Sequence, residues 1–302
     1  MCNTASTSLL IVNPISGQGR VREAKARIIE RLRELGPLDV TETRAAGDAN
    51  SAAGRAIEQG IRRIVVAGGD GTVNEVINAI AGEDVELALV PQGTGNVLAR
   101  ELGIPVDDVE KACDIIAAGQ SVPMDLARAN GRYFALMAGV GFDAAVVDRV
   151  DRDVKDLLGP AAYGLAGLEE LLWLKTSHFV ITMDGHRYET DASLVIVANI
   201  SSYALRVKIA SHASYNDGWL DVCVFQTAKA QRTALINQAL RLILQGTHEG
   251  DPSVRCFRAA NVRIESDPPV RVQVDGDLAG ETPIDIQIAP SAIRVIAPNG
   301  QV

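Results

Sequence analysis

The sequence predicts two domains: an α/β domain with a doubly wound parallel sheet, then a mainly antiparallel, β-sandwich-like domain with attached helices. Strand and helix patterns alternate in the first part of the chain, and short strand patterns separated by turn signals dominate the rest. Such alternation is typical of parallel sheets covered by helices. The length of 302 residues exceeds the size at which one core usually keeps growing.

The elements of the first domain follow from the spacing of apolar residues. The first helix is expected to end at Gly36-Pro37, because proline cannot continue a helix. The predicted strands are 8–12, 39–42, 64–67 and 87–90; the predicted helices are 21–35, 49–59, one beginning near 73 and one ending at 102.

The second domain is predicted from short apolar runs and from dipeptides that favour tight hairpin turns. The predicted strands are 124–129, 132–137, 178–183, 193–199, 220–225, 261–265, 270–274 and 284–288, with helices at 161–174 and 229–244. The turn dipeptides are Asn130-Gly131, Asp184-Gly185, Asp217-Gly218 and Asp275-Gly276.

Three strand-to-helix corners of the first domain carry glycine and small polar residues, at positions 13–19, 68–72 and 93–96. Glycine lets the backbone approach a phosphate closely, and the N–H groups of the following helix attract negative charge. Because the carboxyl ends of parallel strands lie at one edge of a sheet, we expect the corners to form one ligand site. None of them contains the P-loop or the standard dinucleotide-binding motif.

Asp70 places a carboxylate inside this predicted anion site, where it makes sense only with a metal ion or a transferred proton. Three neighbouring polar residues have a simpler interpretation. Thr72 and Glu75 match a Thr-x-x-Glu capping box, and Asn96 could cap its own helix. We therefore expect function at Asp70 and leave helix capping open for the other three.

Two aspartates of the second domain, Asp217 and Asp275, each precede a glycine. Spacing alone favours plain hairpin turns at both positions. A run of turn carbonyls with one aspartate also suits a divalent cation, and the spacing does not decide between the two.

Composition excludes several classes of function. A net charge of −9 argues against a general nucleic-acid partner, which would need a basic face. No apolar run approaches the ~18 residues of a membrane span, and no secretory signal is visible, so we expect a cytoplasmic protein.

The 4 histidines lack ligand spacing, which disfavours zinc. The 4 cysteines include no Cys-x-x-Cys and are expected to be reduced thiols, mostly in the core.

The three corners resemble the diacylglycerol kinase and sphingosine kinase superfamily. Their sequences are Asn-Pro-x-Ser-Gly, Gly-Gly-Asp-Gly-Thr-Val-Asn-Glu-Val and Pro-Gln-Gly-Thr-Gly-Asn. The similarity is closest to the soluble bacterial lipid kinases and covers nearly the whole chain. The Gly-Gly-Asp-Gly-Thr element alone is not specific, because NAD kinases and phosphofructokinases resemble the chain there. Further motifs follow in the family's order at 124–125, 139–143, 216–221 and 274–277.

The resemblance implies an NAD kinase- and phosphofructokinase-like first domain, with ATP in a cleft between the two domains. It implies a nucleotide-binding catalytic domain at 1–123, a last strand at about 291–302 that returns to it, and a lipid-substrate and metal-site domain at 124–290. The implied nucleotide-binding residues are Asn13, Ser16, Gly17, Thr43, Gly69, Gly71, Thr72, Gly93, Thr94 and Asn96.

The resemblance also implies catalytic and metal-binding roles. Asp275 would be the general base, with Asp70 organising the metal or sharing the base role. The implied cofactors are ATP and Mg²⁺. The implied ligands of a structural Mg²⁺ are Asp217 and the backbone carbonyls of Ser214 and Trp219.

The predicted function is ATP-dependent transfer of the γ-phosphate to a hydroxyl of diacylglycerol or a related lipid. The alternatives are an NAD kinase-like phosphotransferase, or a nucleotide- or lipid-binding regulator without turnover. A lipid acceptor implies transient contact with a membrane surface, and a homodimer is one of the oligomeric states left open. Val97 stands where diacylglycerol-type enzymes usually have Asp, which leaves the lipid class open.

Overall fold

The computed structural model describes residues 7–141, 176–202, 209–226 and 251–298. Contacts divide the chain into two units, Met1–Asp125 with Pro290–Val302, and Leu126–Ala289. The predicted helices at 161–174 and 229–244 lie outside the described residues, as do the last two positions of the 139–143 motif. None of the described helices is long and apolar enough to cross a bilayer.

The first unit alternates strands and helices as predicted. Its elements are β1 (Ser8–Val12), a 3-10 turn (Ser16–Gly19), α1 (Arg20–Arg33), β2 (Leu38–Glu42), α2 (Asp48–Glu58), β3 (Arg63–Gly68), α3 (Asp70–Ile80), β4 (Glu86–Pro91), α4 (Val97–Glu101), α5 (Val109–Ala118) and the start of β5 (Ser121–Ala129).

Helix α5 was missed by the sequence interpretation, although both of its ends carry signals. Asp108 precedes the helix and its carboxylate accepts a hydrogen bond from Lys111 N at 3.1 Å. Gly119 follows the helix with φ 67°, the left-handed conformation in which glycine commonly ends helices. The Asp and Gly signals together would have identified this helix.

The first unit contains a parallel sheet. Strand β1 lies between β2 and β3, and β4 follows β3, so that Leu10 pairs with Val40 and Val65, and Val65 pairs with Ala88. The far end of the chain adds a further parallel strand, because Arg294 pairs with Glu86 of β4. The carboxyl ends of β1 to β4 therefore lie at the same edge. The predicted α/β class is confirmed.

The second unit is built from antiparallel strands, as predicted. Its strands are the end of β5, β6 (Arg132–Phe134), β7 (Met137–Gly141), β8 (Ser177–Met183), β9 (His186–Ala198), β10 (Leu220–Gln226), β11 (Val254–Ala259), β12 (Asn261–Asp267), β13 (Arg271–Val274), β14 (Asp277–Glu281) and β15 (Ile284–Ile296), which continues into the first unit.

Several predicted strands differ from the observed ones. The predicted strand 132–137 is two strands, because the intervening backbone donates hydrogen bonds to a side chain instead of to a neighbouring strand. Strands β11 and β14 were missed, and the predicted last strand at about 291–302 is no separate element, because it begins within β15, which ends at Ile296. Asp217-Gly218 closes no hairpin, since it lies in the loop that leads into β10. The other three turn dipeptides connect antiparallel strand pairs.

Strand β10 separates two apolar clusters of the second unit. Val222 and Val224 belong to the larger cluster, which includes Phe134, while Cys223 and Phe225 belong to the smaller one. Successive residues of a strand point to opposite faces, which accounts for the alternation. Asp221 shares its face of β10 with Cys223 because the two are two residues apart.

Candidate active site

The three glycine corners come together at the carboxyl ends of β1, β3 and β4. Main-chain hydrogen bonds link the strand ends: Asn13 N donates to Ala67 O at 3.0 Å, and Gln92 N donates to Gly68 O at 2.9 Å. Thr43, just after β2, is buried and its N–H donates to Val12 O at 2.9 Å. The structure thus places residues of all four strand ends along one edge.

The second and third corners pack backbone against backbone. A Cβ atom on Gly93 would lie 2.6 Å from the Cα of Gly69 and 2.8 Å from Oδ1 of Asn96. A Cβ atom on Gly17, in the first corner, would lie 2.0 Å from Gln92 O, and its φ of +60° also favours glycine. Glycine is therefore required at these positions to let the corners meet.

We expect Gly93→Ala to weaken both folding and nucleotide binding, because its Cβ would meet the backbone of Gly69, which cannot move aside alone, as well as Oδ1 of Asn96. The free energy of unfolding should fall by about 1–3 kcal/mol, as for overpacked sites. The matched control is Gly54→Ala within α2, where an added Cβ meets nothing within 4 Å. That control should be about 0.5–1 kcal/mol more stable. Denaturant unfolding checks both, and an unchanged midpoint for Gly93→Ala contradicts the packing argument.

Thr72 and Glu75 do not form the capping box. Helix α3 begins at Asp70, with Gly69 in the N-cap position, so Thr72 lies inside the first turn. The buried Thr72 accepts a hydrogen bond through Oγ1 from Asn13 Nδ2 at 2.9 Å, which joins the first and second corners. Glu75 Oε2 accepts from Ala49 N at 3.1 Å, in the first turn of α2. Capping by Thr72 was therefore the wrong interpretation.

Asn96 immediately precedes α4, but its side chain makes no capping hydrogen bond to that helix. Its Oδ1 accepts from Gly93 N and its Nδ2 donates to Gly93 O, both at 2.8 Å. The backbone of Asn96 is left-handed, with φ 48°. The buried side chain therefore binds both backbone groups of Gly93 and fixes the backbone conformation of the third corner.

Asp70 lies at the start of α3, facing the start of α4. Its Oδ1 accepts from Leu98 N at 3.3 Å. Burial raises the pKa of this carboxyl above its ordinary value. Hydrogen bonds from backbone N–H groups, the strongest from Val97, lower the pKa by a smaller amount. Burial is the larger effect, so Asp70 holds a proton more tightly than an exposed aspartate does. A perturbed acid at a glycine corner is typical of functional sites.

The remaining predicted nucleotide-binding residues lie around the same corners. Ser16 Oγ is 3.6 Å from where a Cβ on Gly69 would stand. Gly71 and Thr94 are exposed, and a Cβ on Gly71 would meet nothing within 4 Å. The structure thus leaves these two positions accessible to a ligand from solvent.

Arg20 is a residue of this edge that the sequence interpretation missed. Its Nη2 donates to Gly93 O at 3.0 Å and its Nε donates to Gly17 O at 3.3 Å. The guanidinium therefore joins the first and third corners and brings a positive charge to them. The signal for it was a cation directly after the last glycine of the first corner.

In the second unit, Asp275 occupies the turn between β13 and β14, with φ 48°. Its Oδ2 accepts from Ala135 N at 2.9 Å, and its Oδ1 accepts from Leu136 N and Met137 N, each at 3.0 Å. The hairpin-turn interpretation is therefore correct for the backbone. It is incomplete for the side chain, whose carboxylate is held in one orientation by three N–H donors.

Asp217 lies in the loop before β10. Its Oδ1 accepts from Trp219 N at 3.1 Å, and its Oδ2 pairs with Nη2 of Arg258. Ser214 Oγ donates to Asn216 Oδ1 at 2.9 Å within the same loop. Arg258 Nε is also 3.6 Å from Oδ2 of Asp221, so one cation lies between two carboxylates.

The donors of this loop suit Mg²⁺ in type, since they are carboxylate and carbonyl oxygens. Asp221 Oδ2 is buried and accepts no hydrogen bond from the described residues. Burial raises the pKa of Asp221, which a nearby cation would oppose. In the described part of the chain no three His, Cys, Asp or Glu side chains group as metal ligands, so an ion here would depend on backbone carbonyls. Arg258 already balances the charge of Asp217.

The first unit is thus an α/β domain whose glycine corners meet at the carboxyl ends of its parallel strands, and comparison with known proteins gives the family of the chain. The diacylglycerol kinase catalytic domain model matches residues 7–129. The model described as the YegS C-terminal NAD kinase beta sandwich-like domain matches residues 137–297. The chain belongs to the diacylglycerol kinase family.

Individual relatives agree with this assignment. A diacylglycerol kinase of Mycobacterium tuberculosis is 34% identical over 298 residues, which cover 96% of this chain and 94% of that protein. A diacylglycerol kinase of Bacillus subtilis is 32% identical, with 96% of each chain covered. The crystal structure of a diacylglycerol kinase from Bacillus anthracis superposes with a TM-score of 0.76 at 26% identity, covering 98% of each chain.

Proposed function

We propose that this protein transfers the γ-phosphate of ATP to a hydroxyl group of diacylglycerol or a related lipid. The observation that carries the proposal is the meeting of three glycine corners at one sheet edge, in a domain that the diacylglycerol kinase model matches. Relatives named diacylglycerol kinase over nearly the whole chain support the lipid acceptor.

The corner residues bind and orient the nucleotide phosphates. Phosphoryl transfer asks mainly for in-line positioning and for stabilisation of charge. Gly69 is the N-cap of α3 and Gly71 lies in its first turn, so the backbone N–H groups of both lie at a helix N-terminus, which favours an anion. Arg20 adds a positive charge that joins two corners. Exposed Thr94 supplies a hydroxyl donor at the third corner.

Asp275 is the proposed general base, and Asp70 is the second candidate. A base must accept the proton of the lipid hydroxyl through a carboxylate oxygen at hydrogen-bond distance. Three backbone donors already orient Asp275, so the hydroxyl would share this acceptor with them. Asp70 has the raised pKa that favours proton acceptance, but its carboxylate faces the start of α4.

Mg²⁺ is the proposed metal, held by Asp217 with the backbone carbonyls of Ser214 and Trp219. When bound, this structural ion would supply positive charge that holds the oxygen ligands of the loop together. The chain's contribution is to hold Asp217 in place, through the hydrogen bond from Trp219 N to Oδ1. Arg258 would have to release or share Oδ2 of Asp217 when the ion binds.

We expect Asp217→Asn to raise the Mg²⁺ concentration for half-maximal rate by at least about 10-fold. Loss of an outer partner of a metal ligand already costs about 10- to 100-fold in metal affinity, and Asp217 is the proposed charged ligand itself. Mg²⁺ should also raise the melting temperature less in the variant than in the wild type. The matched control is Asp285→Asn, because Asp285 pairs with Arg263 at 2.7 Å in another exposed Asp–Arg pair. An identical Mg²⁺ dependence in both variants contradicts the metal assignment.

The acceptor is tested by giving the purified protein γ-labelled ATP and either a detergent-dispersed lipid or NAD. Diacylglycerol, monoacylglycerol and sphingosine are the lipids to compare. We expect label in at least one lipid and none in NADP. Label in NADP alone would establish the NAD kinase-like alternative. ATP binding without transfer to any acceptor would favour a regulator.

A lipid substrate resides in a membrane, so the proposal implies transient contact with a membrane surface. The net charge of −9 gives little attraction to anionic lipids as a whole. The cytoplasmic location and the homodimer stay predictions; light scattering of the purified protein measures the oligomeric state directly.

A further inference from the structure

Cys223 and Cys256 face each other across the two antiparallel strands β10 and β11. They are direct register partners in the ladder, and their Sγ atoms are 2.9 Å apart. Residues directly opposite in an antiparallel pair have Cα atoms about 4.5–5.5 Å apart, within the range that disulfides span. An S–S bond could therefore form here without moving either strand.

The two thiols differ in their access to solvent. Cys223 is fully buried in the smaller apolar cluster, and its Sγ is 3.6 Å from Ile209 O. Cys256 is exposed. The sequence predicted mostly core cysteines, and Cys256 departs from that prediction. It lies on the same face of the sheet as Cys223, but among the described residues β11 pairs only with β10, so its side chain stays open to solvent. One sulfur can meet a reagent from solvent, and the other lies directly behind it.

The contact between the sulfurs also shifts the pKa values of the two thiols in opposite directions. A hydrogen bond from the Cys223 thiol lowers the pKa of Cys256, while the same contact, together with burial, raises the pKa of Cys223. A thiolate, not a thiol, is the nucleophile in thiol oxidation. Cys113, buried in α5, is different, because burial raises its pKa to about 11. Accessibility and acidity thus select the same sulfur, that of Cys256.

We propose that Cys223 and Cys256 form a reversible intrachain disulfide when the protein meets a peroxide. The Cys256 thiolate attacks the O–O bond, an S–O bond forms, and hydroxide leaves to become water. The sulfur of Cys223 then attacks that of Cys256, the S–O bond breaks, and the second water carries away the Cys223 proton. The peroxide is reduced by two electrons, and the two thiols are oxidised by the same number.

This thiol pair lies beside the loop before β10. The next cross-strand pair on the same face is Asp221 with Arg258, and Arg258 also holds Asp217. A disulfide would therefore fix the two strands at the point where the Arg258–Asp217 pair is attached. The proposal itself is independent of the proposed kinase activity, because it concerns the thiols alone.

The test treats the full-length protein with hydrogen peroxide, then blocks free thiols by alkylation and maps the peptides by mass spectrometry without reduction. We expect one linkage, between Cys223 and Cys256, that a dithiol reverses, with Cys113 still alkylated. The linkage should form at least tenfold faster than Cys113 is oxidised. Absence of this linkage while both thiols remain free, or linkage only between two chains, overturns the proposal.

Two single variants test the order of the steps. In Cys223→Ser, Cys256 should stop as the sulfenic acid, which dimedone traps as a thioether. In Cys256→Ser, Cys223 should stay reduced because it is buried. Trapping at Cys223 instead of Cys256 contradicts the assignment of the attacking thiol. The wild-type map remains decisive even where a variant folds poorly.

Discussion

Asp275→Asn is expected to lower the turnover of lipid phosphorylation by roughly 10²- to 10⁴-fold, the usual contribution of general base catalysis. An amide cannot accept the hydroxyl proton, and its nitrogen offers a donor where the carboxylate offers an acceptor. ATP binding should stay near the wild-type value, because the glycine corners that we propose to hold ATP belong to the other unit.

The same substitution also has a structural effect that must be separated from the catalytic one. The carboxylate of Asp275 accepts hydrogen bonds from the N–H groups of residues 135–137, and an amide leaves at least one of them facing a donor. Leaving such a group unsatisfied costs about 1–3 kcal/mol. We therefore expect Asp275→Asn to be less stable than the wild type and still folded.

Asp184→Asn is the matched structural control. Asp184 occupies the same kind of turn, with φ 47° against 48° for Asp275. Its carboxylate accepts from Ala260 N and Asn261 N, both at 2.9 Å, and from Asn261 Nδ2 at 3.0 Å. This variant should lose similar stability and keep its turnover. Equal loss of turnover in both variants, or near-wild-type turnover in Asp275→Asn, contradicts the assigned base.

Asp70→Asn is expected to lower activity by about 10- to 100-fold, as for groups that act through a metal and its surroundings, and to stabilise the fold at neutral pH. Burial raises the folded-state pKa of Asp70 above its ordinary value of 3.8. Between these two pKa values the folded state binds more protons than the unfolded state. The free energy of unfolding therefore falls as the pH rises through that window.

An asparagine at position 70 carries no charge and removes this loss, while its Oδ1 can still accept from Leu98 N. The variant should thus gain stability relative to the wild type as the pH is raised from about 4 to 7. Denaturant unfolding at a series of pH values measures this difference. A variant that is less stable than the wild type at pH 7 would show that the backbone hydrogen bonds outweigh burial.

The alternation of strands and helices, and the glycine corners between them, could be predicted from the sequence because both depend on local patterns. Helix α5 was not predicted, although it carries local signals of the same kind at both ends, Asp108 before it and Gly119 after it. The sequence interpretation placed Gly69 and Gly93 at one edge, since parallel strands end together. Their close approach, with no room for a Cβ, required the folded backbone.

Features that depend on contacts between distant segments could not be predicted. The carboxylate of Asp275 binds backbone groups about 140 residues earlier in the chain, and this contact splits one predicted strand into two. The pairing of Cys223 with Cys256 depends on β11, which the sequence interpretation missed. Glu75 matched a capping box in its own helix, but its carboxylate accepts a hydrogen bond from Ala49 N of α2, which tertiary packing brings within 3.1 Å.

The central claim is that the acceptor of the phosphate is a lipid hydroxyl. The most direct measurement is mass spectrometry of a total lipid extract, with NAD added, after incubation with the purified protein, ATP and Mg²⁺. We predict that a neutral lipid with a free hydroxyl, diacylglycerol first, gains the mass of one phosphate, and that Asp275→Asn forms this product roughly 10²- to 10⁴-fold more slowly. Conversion of NAD to NADP with every lipid mass unchanged would contradict the account.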